Sequence, residues 1–265
     1  MKLLQGRELA GYIKERQAKT VRTLIHDGTV PKLAIIKTID NPIIDLYVRL
    51  KHQYAKDLGA KVDIHRVNQA DVPELLKNLN EDNTVHGVII QLPLEDPSKT
   101  NELVNLVSPK KDVDALGEKA EFEPATPMAI LWLLSGFNVN LVGKKVVLIG
   151  RGKLVGAPLE RMLKNSGIDV SVADSSTKDI VGLAKSADVI VTATGKPAIL
   201  TSEMIKPGAV VVDAGVASED GQMVGDVDNQ VFEREDITIT PKKGGVGPLT
   251  ICALFDNVIR SASSK

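Results

Sequence analysis

The sequence predicts an α/β protein of two domains, an N-terminal α/β domain and a C-terminal doubly wound one. Three observations predict it. Short apolar runs alternate with helix-length amphipathic segments, which implies parallel strands joined by helical crossovers. The strand-like run 145–149 leads into Gly150-Arg151-Gly152-Lys153-Leu154-Val155-Gly156, a strand–turn–helix form that presents backbone amides to a phosphate. The 265 residues also suffice for about two cores of ordinary size.

Taken in order, residues 8–25 carry apolar side chains at helical spacing, and Gly28 breaks the run. Residues 32–36 read as a strand, and Asn41-Pro42 turns the chain into a helix that reaches about Leu58, where Gly59 stops it. A strand at 61–67, a helix at 72–79 and a mostly apolar strand at 87–91 follow. Past Pro109 the pattern changes. Lys110-Lys111-Asp112-Val113-Asp114 is charged, and Thr126-Pro127 opens an apolar helix at 128–134, read as the connector between domains. The second domain starts with the strand at 145–149 and continues with strands at 169–172, 188–193, 209–214 and 237–240. Before the final helix, from about Leu249, comes Thr240-Pro241-Lys242-Lys243-Gly244-Gly245-Val246-Gly247-Pro248. Three glycines in four residues make a poor helix and a poor strand, and let backbone come close to a flat ligand.

Composition narrows the function classes. A net charge of -1 gives no reason to expect nucleic acid or an anionic membrane surface. The single cysteine, Cys252, forms no internal disulfide and fits a reducing compartment. The start of the chain has no basic–apolar–cleavage pattern, since Lys2, Arg7 and Glu8 interrupt it. The longest uncharged run, 124–143, is broken by Pro127, Ser135, Gly136, Asn138 and Asn140, so no membrane span is expected. His26, His52, His65 and His86 lack metal-ligand spacing. These features describe a soluble cytoplasmic protein without a metal.

The candidate chemistry rests on few residues. Gly150, Gly152 and Gly156 are spaced one residue longer than the usual dinucleotide fingerprint, and tight strand-to-helix packing alone would also call for glycine there. Asp174 lies just past the next strand, where an acid accepts from a ribose hydroxyl. Tyr47 and Lys51 are four apart, so both project from one helix face, either as a functional pair or as amphipathic residues on a solvated surface. Short-chain dehydrogenases use the same spacing, but after their nucleotide-binding glycines rather than before. Gln91 ends an apolar strand, where parallel sheets place ligands, and Asp114 follows a lysine pair. Strand-end exposure and a charged loop are the plainer readings of these two.

Tyr47, Lys51, Gln91-Leu92-Pro93, Lys111-Asp112-Val113-Asp114, Gly150-Arg151 with Val155-Gly156-Ala157-Pro158, and Gly244-Gly245-Val246-Gly247-Pro248 occur in this order. With them the chain resembles bifunctional methylenetetrahydrofolate dehydrogenase/methenyltetrahydrofolate cyclohydrolase over nearly its whole length. The resemblance implies a folate-binding domain at 1–122, completed by a C-terminal helix at 249–265, and a Rossmann-like NAD(P)-binding domain at 123–248. It implies that the two face each other across a cleft, with the late glycine segment as the return crossing and one wall. The implied activity is oxidation of 5,10-methylenetetrahydrofolate, then hydrolysis to 10-formyltetrahydrofolate, with NADP as cofactor and NAD as the possible alternative. Tyr47 would stack on the folate, Asp114 would accept two hydrogen bonds from the pterin edge, Lys51 would assist proton transfer and Gln91 would orient it. Leu92, Gly244, Gly245, Gly247 and Pro248 would line the folate, and Gly150, Arg151, Gly152, Gly156, Asp174, Ser175 and Val216 the cofactor. A homodimer formed through the second domain is also implied.

The chain departs from that pattern at several positions. Ile44 replaces a serine, Ala115 a glycine, Ala125 a cysteine, Lys243 a proline and Gly152 a serine, while Asp174 and Ser176 replace a histidine and often a basic residue. Two other readings compete: another two-domain dehydrogenase, such as a shikimate dehydrogenase relative, and a nucleotide-binding regulatory protein without catalysis.

Overall fold

The computed structural model describes residues 1–219 and 222–264. The backbone gathers into two units, one of Gly11–Ala125 with Ile251–Lys265, the other of Met1–Ala10 with Thr126–Thr250. In chain order the first half holds β1 (Lys2–Leu3), α1 (Gly6–His26), β2 (Lys32–Lys37), α2 (Pro42–Leu58), β3 (Lys61–Arg66), α3 (Val72–Glu81), β4 (Gly87–Ile90) and α4 (Thr100–Val104). Next come α5 (Ala125–Gly136), β5 (Val146–Ile149), α6 (Gly156–Asn165), β6 (Val170–Ala173), α7 (Ile180–Ser186) and β7 (Val189–Thr192). The chain finishes with β8 (Val210–Asp213), β9 (Ala217–Glu219), β10 (Gln222–Val224), β11 (Thr238–Ile239) and α8 (Val246–Ser263).

In the unit built on Gly11–Ala125, a three-stranded parallel sheet runs β3-β2-β4. Its central strand is buried along Leu33–Ile36, as a strand covered on both faces requires. The helix after it has local reasons to start and stop where it does. The Asn41 side chain accepts from the amides of Ile43 and Ile44, Pro42 fits the first turn, and Gly59 closes the helix at φ +84°. Ile44, Val48, Ala55 and Leu58 face the core. The isoleucine that replaces a serine is therefore a core residue. Tyr47 and Lys51 flank that apolar stripe.

The charged stretch after Pro109 is not a free loop. Val88 N donates to the Lys111 carbonyl at 2.8 Å, so Asp112 bridges alongside β4 in parallel. Lys111 Nζ reaches back to the carbonyls of Leu79, Asn80 and Asp82, at 2.8 Å each, and so satisfies the end of α3. On α8, fully buried Asn257 donates from Nδ2 to the carbonyls of Val113 and Glu123, both at 2.9 Å. Gly87 is needed beneath: an added Cβ would stand 2.9 Å from Val113 and 3.1 Å from Val258. Tyr54 O–H donates to Gln17 Oε1 at 2.7 Å and Gln17 Nε2 to the Cys252 carbonyl at 2.9 Å, joining α1, α2 and α8.

In the other unit six strands, all parallel, run β1-β11-β8-β7-β5-β6. Apolar side chains such as Val147, Ile149, Ile190, Val211 and Ile239 form its core. The structure here differs from the sequence reading in three places. Lys2 and Leu3 join it by pairing with Thr238 and Ile239, and the strand expected at 237–240 shortens to those two residues. Two residues carry no period, so β1 left no signal. The antiparallel pair β9–β10 was also unread. Finally, α8 begins at Val246, so Gly247 and Pro248 occupy its first turn. First-turn amides have no intrahelical acceptor to lose, which is why glycine and proline fit there. Among the described residues no helix is long and apolar enough to cross a membrane.

Asn257→Ala leaves two carbonyls beside the Asp114 turn without their side-chain donor. The substitution should destabilise the unit by about 2 kcal/mol. A lower urea midpoint at unchanged slope is the expected result, and an unmoved midpoint would remove Asn257 from this role.

Candidate active site

The site residues named from sequence fall into two groups, one in each unit. The first lies at the carboxyl ends of β2 and β4, where parallel sheets place ligands. Gln91 follows β4, its amide fixed on the Ile36 carbonyl at 2.8 Å. From α2, Lys51 Nζ donates to Gln91 Oε1 at 2.7 Å. Gln91 Nε2 in turn donates to the Leu92 carbonyl at 3.3 Å, so the amide group has a fixed orientation with its oxygen toward the lysine. Tyr47 stands one turn earlier on the same face, and burial pushes its hydroxyl above the usual phenol range. Asp114 completes the group. Its carboxyl is raised by burial and drawn back by the charge of Lys51, while Lys51 is lowered by burial and raised by Asp114.

The turn that carries Asp114 is built by a neighbouring carboxylate. Asp112 is buried, and its Oδ2 accepts from Gly117 N at 2.7 Å and its Oδ1 from Leu116 N at 3.4 Å. Burial raises its pKa to about 6, with the backbone amides pulling the other way. Ala115, in place of a glycine, sits at φ +54° in this turn. Sequence reading missed the structural part of this stretch. Lys111 caps a helix and Asp112 folds a turn, so only Asp114 of the charged run belongs with Lys51.

The second group lies at the carboxyl ends of β5, β6, β7 and β8. Beside β5 the chain goes to β6 on one side and β7 on the other, the switch at which doubly wound sheets leave a crevice. Gly150 has φ +107°, and an added Cβ would stand 2.5 Å from the Ala193 carbonyl oxygen. At Gly156 a Cβ would collide with the Gly150 carbonyl. Gly152 has nothing within 4 Å of a Cβ, so it serves no packing need. No side chain caps the start of α6. A tight turn with side chains excluded, opening an uncapped helix, fits a dinucleotide pyrophosphate.

Around this cradle, Asp174 and Ser175 are exposed just past β6, and the Asp174 carboxylate accepts from Ser176 Oγ at 2.6 Å and from Ser176 N at 2.9 Å. Those bonds hold it below the usual carboxylate range. Val216 is half-exposed after β8, on a loop fixed by Asp213. Asp213 Oδ1 accepts from Gly215 N at 3.0 Å, Asp226 N at 3.1 Å and Thr192 Oγ1 at 3.1 Å, and Oδ2 accepts from Val227 N at 3.1 Å. Arg151 donates from Nε to Glu160 Oε2 at 3.0 Å, a partner that sequence reading missed. Its only sequence trace was Glu160-x-x-x-Lys164, a common helix pair. Gly244 and Gly245 meet the N-terminal segment. Arg7 N donates to the Gly244 carbonyl at 2.9 Å, and Gly6 packs directly on Gly245.

Residues 4–114 match the family described as tetrahydrofolate dehydrogenase/cyclohydrolase, catalytic domain. Residues 124–265 match its NAD(P)-binding domain. The bifunctional protein FolD of Cenarchaeum symbiosum is 37% identical over 98% of each chain. The solved bifunctional FolD enzyme of Campylobacter jejuni has a TM-score of 0.94 and 36% identity over 99% of both chains. The Trypanosoma brucei enzyme, solved with NADP cofactor and an inhibitor, has a TM-score of 0.91 and 30% identity over 98% of this chain and 97% of its own. Lys51, Gln91 and Asp114 meet in the half matched as catalytic, and the glycine cradle stands in the half matched as NAD(P)-binding. With both halves matched and nearly every residue covered, the chain belongs to the tetrahydrofolate dehydrogenase/cyclohydrolase family.

Proposed function

We propose that this chain oxidises 5,10-methylenetetrahydrofolate to 5,10-methenyltetrahydrofolate with NAD(P) and then hydrolyses the product to 10-formyltetrahydrofolate. The observation that carries the reading is the Lys51–Gln91 hydrogen bond with Asp114 acting on the same lysine. A regulatory nucleotide-binding protein has no use for an amine held in this way.

When bound, the nicotinamide ring supplies the hydride acceptor. The chain's part in that step is positioning, because the two folate nitrogens already stabilise the cation left on carbon. Tyr47 stacks on the folate and Asp114 accepts from the pterin edge. Gly150, Gly156 and the start of α6 hold the pyrophosphate, Asp174 and Ser175 stand at the ribose, and the Val216 loop lies at the nicotinamide end. Hydrolysis adds proton traffic. Water attacks the methenyl carbon and loses one proton, the bond from that carbon to N5 breaks as N5 gains a proton, and the remaining hydroxyl proton is released to solvent as the formyl carbonyl forms. Lys51 in its neutral form takes the first proton and returns it to N5, with Gln91 fixing its direction. Burial favours that neutral form and Asp114 opposes it.

The division of labour follows residues 1–122 with 249–265 for folate and 123–248 for the nucleotide; the family matches at 4–114 and 124–265 support the boundary near residue 123, and the grouping of Ile251–Lys265 with Gly11–Ala125 supports the return of the last helix. The resemblance and the composition support a cytoplasmic homodimer formed through the second unit, acting on tetrahydrofolate derivatives without nucleic acid or membrane. Arg151 favours NADP and Asp174 favours NAD, so NADP is preferred only narrowly.

Lys51→Met should abolish cyclohydrolase activity while a measurable dehydrogenase step remains. In the unaltered protein the cyclohydrolase rate should fall as pH drops through the depressed lysine pKa, since an ammonium accepts no proton. Both activities assayed on the purified variant decide it, and an unchanged hydrolysis rate would make Lys51 a bystander. Asp114→Asn turns one acceptor into a donor facing the pterin's own donors, and folate binding should weaken by about 2 kcal/mol with cofactor affinity little changed. Titration calorimetry with folate checks it. Asp174→Ser should improve kcat/KM with NADP and lower it with NAD. A large NADP preference that the substitution leaves in place would refute the narrow-preference reading.

A further inference from the structure

Glu160 has no part in the reading above, yet it is the most covered charged group of the nucleotide-binding unit's α6. It is 8% exposed. Oε2 accepts from Arg151 Nε at 3.0 Å and Oε1 from Lys164 Nζ at 2.7 Å. Both cations are more than half exposed, at 56% and 58% of their side chains, against 10% for Glu160. With Ala157, Arg161 and Asn165 these groups line a recess of about 370 Å³. The arrangement is a fixed negative charge beneath two outward-facing cations.

The two cations keep Glu160 ionised, Lys164 most of all. Arginine offers five donors, and the contact with Glu160 uses the one on Nε, so the outer nitrogens stay available to a ligand. What Glu160 changes is the field. A 2′-phosphate on the adenosine ribose carries nearly two negative charges and meets Glu160 behind Arg151 and Asp174 beside it. A 2′-hydroxyl carries none, so the charge of Glu160 leaves it unaffected, while Asp174 accepts a hydrogen bond from it.

Resting on the placement of Arg151 at the ribose proposed above, we propose that Glu160 is a specificity-determining residue that weakens binding of 2′-phosphorylated nucleotide and leaves the unphosphorylated one unaffected. It acts through Arg151, by offsetting the charge of the group that would meet the phosphate. Glu160 and Asp174 together then account for a narrow preference between NADP and NAD.

The test is fluorescence titration of the full chain with NADPH and with NADH, no folate present, which reads binding and not turnover. Glu160→Gln keeps the size of the side chain and removes its charge. The NADPH dissociation constant should fall about tenfold, equivalent to 1.4 kcal/mol, with NADH changed less than about twofold. Glu160→Ala should shift the ratio in the same direction, and it serves where Glu160→Gln folds poorly. Equal changes for both nucleotides, or no change, would overturn the proposal. On an Arg151→Ala background the gain should vanish, and a gain that persists there rules out action through Arg151. Arg151→Ala alone separates the two readings. If it leaves NADPH affinity intact, the placement of Arg151 fails; if it weakens NADPH while Glu160→Gln does nothing, only the role of Glu160 fails.

Discussion

Lys51 and Asp114 are each pushed toward neutrality by the surrounding protein, and each is returned toward its charged form by the other. The proposed hydrolysis depends on this opposition. A lone buried amine would give up its proton too readily to return one, and a lone buried carboxyl would stay protonated and accept poorly from a ligand. Removing either partner leaves an uncompensated charge, which is costlier than removing both. Gln91 adds direction to the balance, because its oxygen is committed to the lysine by the bond of its own amide to Leu92.

The balance needs Asp114 to stay where it is, and much of the unit serves that end. Asp112 folds the turn from beneath with backbone amides, Lys111 ties the preceding residue to the end of α3, and Asn257 holds the Val113 carbonyl from α8. Val88 adds a β-bridge from the sheet. Anchors from three elements converge on one short stretch. The raised pKa of Asp112, about 6, is the mark of a carboxylate kept for its geometry in a place that disfavours its charge.

The nucleotide-binding unit works by exclusion and by charge. Gly150 and Gly156 keep side chains out of a turn that has backbone against it on two sides. Asp213 gathers three amides and a hydroxyl, which fixes the loop after β8. Glu160 lies behind Arg151 and accepts from its Nε, a carboxylate set against that cation.

The sequence by itself determined the α/β class, the parallel pairing and the long elements, because those depend on periodicity, on Asn41-Pro42 and Gly59 as helix ends, and on strand–turn–helix glycines that are local in the chain. It also marked Tyr47, Lys51, Gln91 and Asp114, through their order with the glycine segments rather than through any one of them. What it left undecided were features made by partners distant in the chain. Lys2–Leu3 becomes a strand only because Thr238–Ile239 lies beside it. Gly247 and Pro248 become helical because their amides need no partner in a first turn. Lys111 and Asp112 differ from Asp114 only in what folding brings to them, helix carbonyls and turn amides for two, an amine 63 residues earlier for the third. Arg151 looked free until α6 placed Glu160 against it. Local pattern selects conformation, while charge, burial and hydrogen-bond partners belong to the neighbours that only the tertiary structure supplies.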